Sequence, residues 1–176
     1  MTAVTDSPLI TFDWLQPFAE RYLGAWNDHD ASALLPLITE DIVYVDPALP
    51  DPAHGHAGVR KFMEDAFVAF PDLRFEETGL PCIAAGSPTV MVPWRMVGTH
   101  RGPLDPPGFA ATNRRVDVSG IDVWELRDGR VARYWAYYDL MTVARQIGAM
   151  PPSGSVGERA TVLFQRAQAI VLRRRN

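Results

Sequence analysis

One cysteine, Cys82, stands among 176 residues, so no intrachain disulfide can form and the fold must rest on its core. With no base beside it in sequence, Cys82 reads as a buried, inert thiol. Lysine is as scarce: Lys61 is the only one beside 16 arginines. That bias reads either as bidentate anion recognition or, more economically, as GC-rich codon usage. No stretch approaches the ~20 apolar residues of a membrane-spanning helix. The opening MTAVTDSPLI has neither the basic nor the apolar part of a signal peptide. A reducing, cytoplasmic location without a membrane partner is therefore expected. Positive charge is not in excess either: 17 basic residues face 21 acidic ones, for a net charge of −4, which argues against a nucleic-acid partner. Also missing are a phosphate-cradling glycine loop, a serine nucleophile elbow and a dinucleotide fingerprint, so no cofactor is expected.

What remains is the composition of an ordinary single globular domain, 47 % hydrophobic and 22 % charged. Residues 1–12 carry no period and read as a flexible arm, 13–150 as the domain, and 151–176 as a linker and terminal helix. Phe18, Tyr22, Ala25 and Trp26 recur at helical spacing, so Trp14–Trp26 reads as a helix with one buried face. Asp30 is placed to cap a second helix running through Leu34, Leu35 and Ile38. Ile42–Val45 reads as a strand ended by Asp46-Pro47, and a Pro/Gly-rich loop follows. Met63, Ala66, Phe67 and Phe70 mark a helix closed by Pro71. Strands are expected at 73–77, 90–98, 116–126 and 131–138, the last two joined by an Asp128-Gly129 hairpin turn. Pro93 lacks a donor and marks an edge or bulge in its strand. Asp139 reads as the N-cap of LMTVARQIG. From about Glu158 a last helix carries Leu163, Ala167, Ile170 and Val171 on one face, its Arg173–Arg175 end suiting the helix dipole. Strands gathered after helices predict an α+β fold: a curved, cone-shaped antiparallel sheet packed against N-terminal helices.

Chemistry concentrates on a few side chains. Asp122, mid-strand between Ile121 and Val123, is costly to bury unless hydrogen-bonded or raised in pKa, and such a group suits general acid–base work near neutrality. Its other reading is a solvated or arginine-paired carboxylate. His100 is either its partner base or a turn histidine bonded to backbone. Asp46, at a strand end, is either a cavity group or turn chemistry. His54 and His56 sit near Asp51 but lack a third ligand at a familiar spacing, so no metal is expected. Five Trp, five Tyr and eight Phe are present. Tyr44, Trp94, Trp124, Tyr134 and Tyr138 lie on strands and together favour an apolar pocket for a small apolar or aromatic ligand. Trp135 and Tyr137 would then point the other way.

The run GTHRG, the hairpin SGIDVWELRDGRVARYWAYYD and the ending VARQIG resemble the SnoaL-like proteins of the nuclear transport factor 2-like superfamily. Trp26-Asn27, Asp41-Ile42-Val43, Asp46-Pro47 and Gly55-His56-Ala57-Gly58 fit the same template in the same order. The resemblance, over about Phe18–Gly148, implies the cone fold and a homodimer formed through the sheet. It also implies the chemistry of type members, polyketide cyclases that close a ring by intramolecular aldol condensation without metal or cofactor. In those enzymes a cavity aspartate on the last strand works with a histidine on the preceding strand. Here the aspartate position falls on Ala136 and the histidine position on Asp122, so the cyclase mechanism does not carry over. The related limonene-epoxide hydrolases lose a member of their Asp-Arg-Asp set at the same place. Three readings stay open: a cofactor-independent enzyme acting through Asp122 and His100, a ligand-binding protein that has lost the acid, and an interaction module.

Overall fold

Leu15, Phe18, Ala19, Tyr22, Leu23 and Trp26 repeat at spacings of three and four, and in the computed structural model, which describes residues 10–173, they form the buried face of helix α1 (Phe12–Asn27). Most of the expected N-terminal arm lies outside the described residues, as do Arg174 and Arg175, expected to end the last helix. Asp30 does cap a helix, its Oδ1 accepting the N–H groups of Ser32 and Ala33 at 2.9 and 3.1 Å. That helix, α2 (Ala31–Leu34), is shorter than the sequence reading. Pro36 has no N–H to continue the ladder, the chain tightens into a 3₁₀ turn, and Ile38 opens a strand instead.

The strands are β1 (Ile38–Val45), β2 (Ala53–His54), β3 (Arg74–Glu77), β4 (Cys82–Ile83), β5 (Thr89–Thr99), β6 (Arg115–Arg127) and β7 (Arg130–Tyr138). They form one sheet in the order β2-β1-β7-β6-β5-β3, with β4 also on β5. The sheet is mixed rather than antiparallel throughout: β1 runs parallel to β7, pairing Tyr44 with Tyr134 and Val45 with Trp135. A parallel neighbour needs a long crossover, and the chain between β1 and β7 supplies one. Asp128 and Gly129 turn the β6–β7 hairpin with φ of 53° and 70°, the left-handed geometry a tight hairpin needs. Pro93 faces the gap between β4 and β3 on the outer side of β5, where no ladder donor is required.

Alternation then sorts the side chains. Val116, Val118, Asp122, Trp124 and Leu126 of β6 are buried on the concave face, while Asp117, Ser119 and Ile121 are exposed. Helix α3 (Gly55–Ala69) and α1 fill the concavity, and α4 (Leu140–Gln146), capped by Asp139, closes one end. Helix α5 (Val156–Arg173) forms as expected, but Leu163, Ala167 and Ile170 of the apolar face predicted for it are exposed. Cys82 is exposed, not buried, because β4 is a two-residue edge strand with both side chains in solvent.

Asn27 ties α1 to the sheet. Its Nδ2 donates to the Phe75 carbonyl at 3.0 Å, and its Oδ1 accepts the Phe75 N–H at 2.7 Å. Asn27→Ala leaves both backbone groups of part-buried Phe75 unpaired, and urea unfolding is expected to show a loss of about 1–3 kcal/mol. Unchanged stability would mean that the pair does not hold the helix in place.

Candidate functional site

The register of β5, β6 and β7 assembles a buried polar centre. Trp94 pairs with Gly120, and Asp122 lies between Val92 on one side and Ala136 on the other. A Cβ at Gly120 would sit 2.5 Å from the Trp94 ring, so only glycine lets the indole lie flat across β6. From there Trp94 Nε1 donates to Asp122 Oδ1 at 2.6 Å, and the Tyr134 hydroxyl donates to the same oxygen at 2.7 Å. Asp122 is 3 % exposed. Burial pushes its pKa up to about 7; the two donors pull it down and the charge of Asp46 adds to the rise. Ala136, where the resemblance places the family's acid, is thus the direct cross-strand neighbour of Asp122.

Asp46 follows the last residue of β1. Its Oδ1 accepts the Ala48 N–H at 2.8 Å, closing the turn around Pro47, and the Tyr138 hydroxyl at 2.8 Å. The parallel pairing of β1 and β7 makes this possible, since the two strands end on the same side. Burial raises the Asp46 pKa, opposed by these two donors, and burial beside Asp46 raises that of Tyr138.

A cavity opens beside these groups. Its wall includes Tyr44, Asp46, Trp94 and Tyr138, with Trp26, Phe62, Phe70, Phe75, Leu104, Leu140 and Val143 among the apolar remainder, and among the described residues Asp46 is the one charged residue on it. A water centre can range over about 90 Å³ inside, well above the ~10–15 Å³ that a single bound water needs. The space is therefore more than one trapped water would fill.

The sequence candidates divide accordingly. Tyr44, Asp46, Trp94 and Tyr138 share the wall. Asp122, Trp124 and Tyr134 are buried one layer behind it, with the Trp94 indole between Asp122 and the cavity and Tyr44 stacked on Tyr134 at 3.8 Å. His100 is not on the wall. It is fully buried behind Phe70, with ring centroids 5.4 Å apart and its Nδ1 3.2 Å from Thr112 Oγ1. Desolvation lowers its pKa, so it stays neutral at pH 7. The predicted Asp122–His100 pairing is therefore not made in this arrangement. His56 Nε2 lies 3.3 Å from the Ile38 carbonyl. Among the described residues no group of three His, Cys, Asp or Glu side chains is arranged to hold a metal.

Tyr22 escaped the sequence reading, which saw only its place in an apolar helical stripe. It packs on Trp124 at 4.5 Å and lies nearly parallel to Tyr134 at 6.2 Å, and its buried hydroxyl has no partner among the described residues. Burial and the nearby Asp122 charge hold its pKa well above the usual range. The one sequence signal was a hydroxyl on an otherwise apolar face.

The family model of the SnoaL-like polyketide cyclases matches residues 17–147. Among solved structures, TsrD from Streptomyces laurentii is 25 % identical over 80 % of this chain and 98 % of its own, with a TM-score of 0.68. A candidate SnoaL-like polyketide cyclase from Jannaschia sp. CCS1 shares the fold at 20 % identity and a TM-score of 0.69, over 85 % of this chain and all of its own. So does a protein of ketosteroid isomerase-like fold from Catenulispora acidiphila DSM 44928, solved with trimethylamine, at 18 % and 0.62 over 74 % and 92 %. No curated protein matches by sequence.

The raised pKa of Asp122 fixes the sign of a pH effect. Between its ordinary carboxylate range and about 7, the folded chain keeps a proton that the unfolded chain has lost, so ionisation opposes folding. Relative to Asp122→Asn, the native chain is expected to lose stability as pH rises from about 4 to about 7 and to level off above. Trp94 emission should titrate with a midpoint near 7 and stop doing so in the variant. A stability difference independent of pH would show that Asp122 is ionised throughout.

Proposed function

We propose that this chain, which belongs to the SnoaL-like polyketide cyclase family, binds an apolar carbonyl compound in its aromatic cavity and moves a proton next to that carbonyl without a cofactor. The observation that carries this reading is the pair of carboxyls in unlike settings: Asp46 on the wall, and Asp122 in a dry layer behind Trp94 with its pKa near 7. Two carboxyls whose surroundings differ divide into a base and an acid. Asp46, with a backbone N–H on its oxygen, is the base that takes the C–H proton. Asp122 already accepts two bonds at Oδ1, so in its neutral form the proton sits on Oδ2. As the C–H electron pair moves onto the carbonyl oxygen, that Oδ2–H stabilises the developing charge.

Reaching the oxygen requires the Trp94 indole to give up its place on Asp122. The enolate then has two fates: where a double bond lies beside the abstracted carbon, return of the proton at the far carbon of the dienolate shifts that bond and isomerises the molecule, and attack on a second carbonyl closes a ring, the new alkoxide taking the proton from Asp46. Tyr138 holds Asp46, Tyr134 holds Asp122, and Tyr44 with Trp94 shapes the wall. His100 has no part in this scheme. The outer sheet face, with Met91, Ile121 and Tyr137 exposed, is the surface through which a homodimer would form.

Ala136, in place of the family's acid, favours a second reading, a protein that binds without turnover, and one experiment separates the two. Protein is incubated with cyclic ketones in heavy water and deuterium uptake beside the carbonyl is followed by NMR, while binding of 2-naphthol, a planar enol mimic, is titrated by fluorescence. The native chain should catalyse uptake, and Asp46→Asn should slow it about 100-fold or more with naphthol binding largely kept. Uptake undiminished in Asp46→Asn removes Asp46 as the base. Naphthol binding with no uptake above buffer leaves the binding-only reading.

A further inference from the structure

Helix α5 stands clear of the rest of the described residues. Every residue from Arg159 to Gln168 is exposed. Its ties to the body are at its root, where Arg145 reaches Glu158 at 3.9 Å and Gly157 lies beside Pro151. The helix is nonetheless not polar all round: Leu163, Phe164 and Ile170 are 64, 64 and 56 % exposed. At about 100° per residue, these three share about a third of the circumference with Val156, Ala160 and Ala167. Arg159 and Arg166 run along one border of that face. A lone helix of this length is marginal in water, so a face of this kind calls for cover.

Charge identifies the cover. Residues 156–176 hold five arginines and one carboxylate, while residues 1–155 hold twelve basic and twenty acidic residues. Positive charge is thus gathered in one segment of an otherwise acidic chain, with Arg159, Arg166 and Arg173 lying within α5. The outer sheet face is no counterpart, because Asp117 and Glu76 there are already taken by Arg95. A second α5 is none either. Antiparallel pairing through this face sets the two arginine rows against each other, and parallel pairing leaves them without a counter-charge. A Leu/Phe/Ile face with an arginine border fits the interface of an anionic bilayer.

We propose that α5 docks on an anionic membrane surface, lying in the interface with Leu163, Phe164 and Ile170 toward the acyl chains and Arg159 and Arg166 on lipid phosphates. This is docking on a bilayer, not crossing it, since no described helix is long and apolar enough to span one. It goes beyond the expectation of no membrane partner, which rested on the lack of a spanning segment. A cavity that takes a lipophilic molecule is then held where such molecules dissolve.

The full chain is sedimented with vesicles of phosphatidylcholine alone or mixed equally with phosphatidylglycerol. Binding should be about tenfold or more stronger on the anionic vesicles and should fall away at high salt. It should be lost in Arg159→Glu/Arg166→Glu and in Leu163→Glu/Phe164→Glu, with near-UV circular dichroism and 2-naphthol binding unchanged, so that the cavity reading stands or falls separately. Equal binding to both vesicles, no binding to either, or variants that sediment like the native chain would overturn the proposal. So would variants that lower the mass seen by light scattering while leaving vesicle binding intact, which would assign the face to a second copy.

Discussion

Much of this molecule depends on one carboxyl oxygen. Asp122 Oδ1 takes hydrogen bonds from Trp94 on β5 and Tyr134 on β7, so a single atom links three adjacent strands on their concave side. An unpaired carboxyl buried there would be costly, and the two donors make the position tolerable. In exchange the rings are fixed: Trp94 lies across Gly120, and Tyr134 stacks between Tyr44 and Tyr22. The aromatic wall of the cavity is thereby set by a polar contact behind it, and a slip of one residue in the β5–β6 register would dismantle both.

The fold class and the family were legible in the sequence because both are written in local signals that repeat. The α1 stripe, the Asp128-Gly129 turn and the alternation through β6 and β7 each name one element, and their order names the cone. What was not legible depends on contacts distant in sequence. Nothing near Ile42–Val45 announces that β1 runs parallel to β7, because direction is decided by where the crossover returns. The early end of α2 at Pro36 was a local signal outweighed in reading by the apolar run Leu34-Leu35-Leu37-Ile38.

The site was legible as a set of residues and not as a geometry. Asp122 stood out because a carboxylate between Ile121 and Val123 breaks the apolar run. Asp46 looked like ordinary turn chemistry, and it is a turn residue; its place on the cavity wall comes from Tyr138, 92 positions away. His100 attracted attention by residue type alone, yet Phe70 stands between it and the cavity. Tyr22 was hidden by the period that placed its helix correctly, since a helical stripe records burial and says nothing of a hydroxyl within it.

The short helix α4 has a further consequence. Leu140 and Val143 form part of the cavity wall, Tyr138 just before them holds Asp46, and Arg145 at the far end reaches Glu158 at the root of α5. One seven-residue lever therefore has the cavity at one end and the base of the protruding helix at the other. The cavity wall and the root of α5 therefore share one short helix, and a displacement of α4 would reach both.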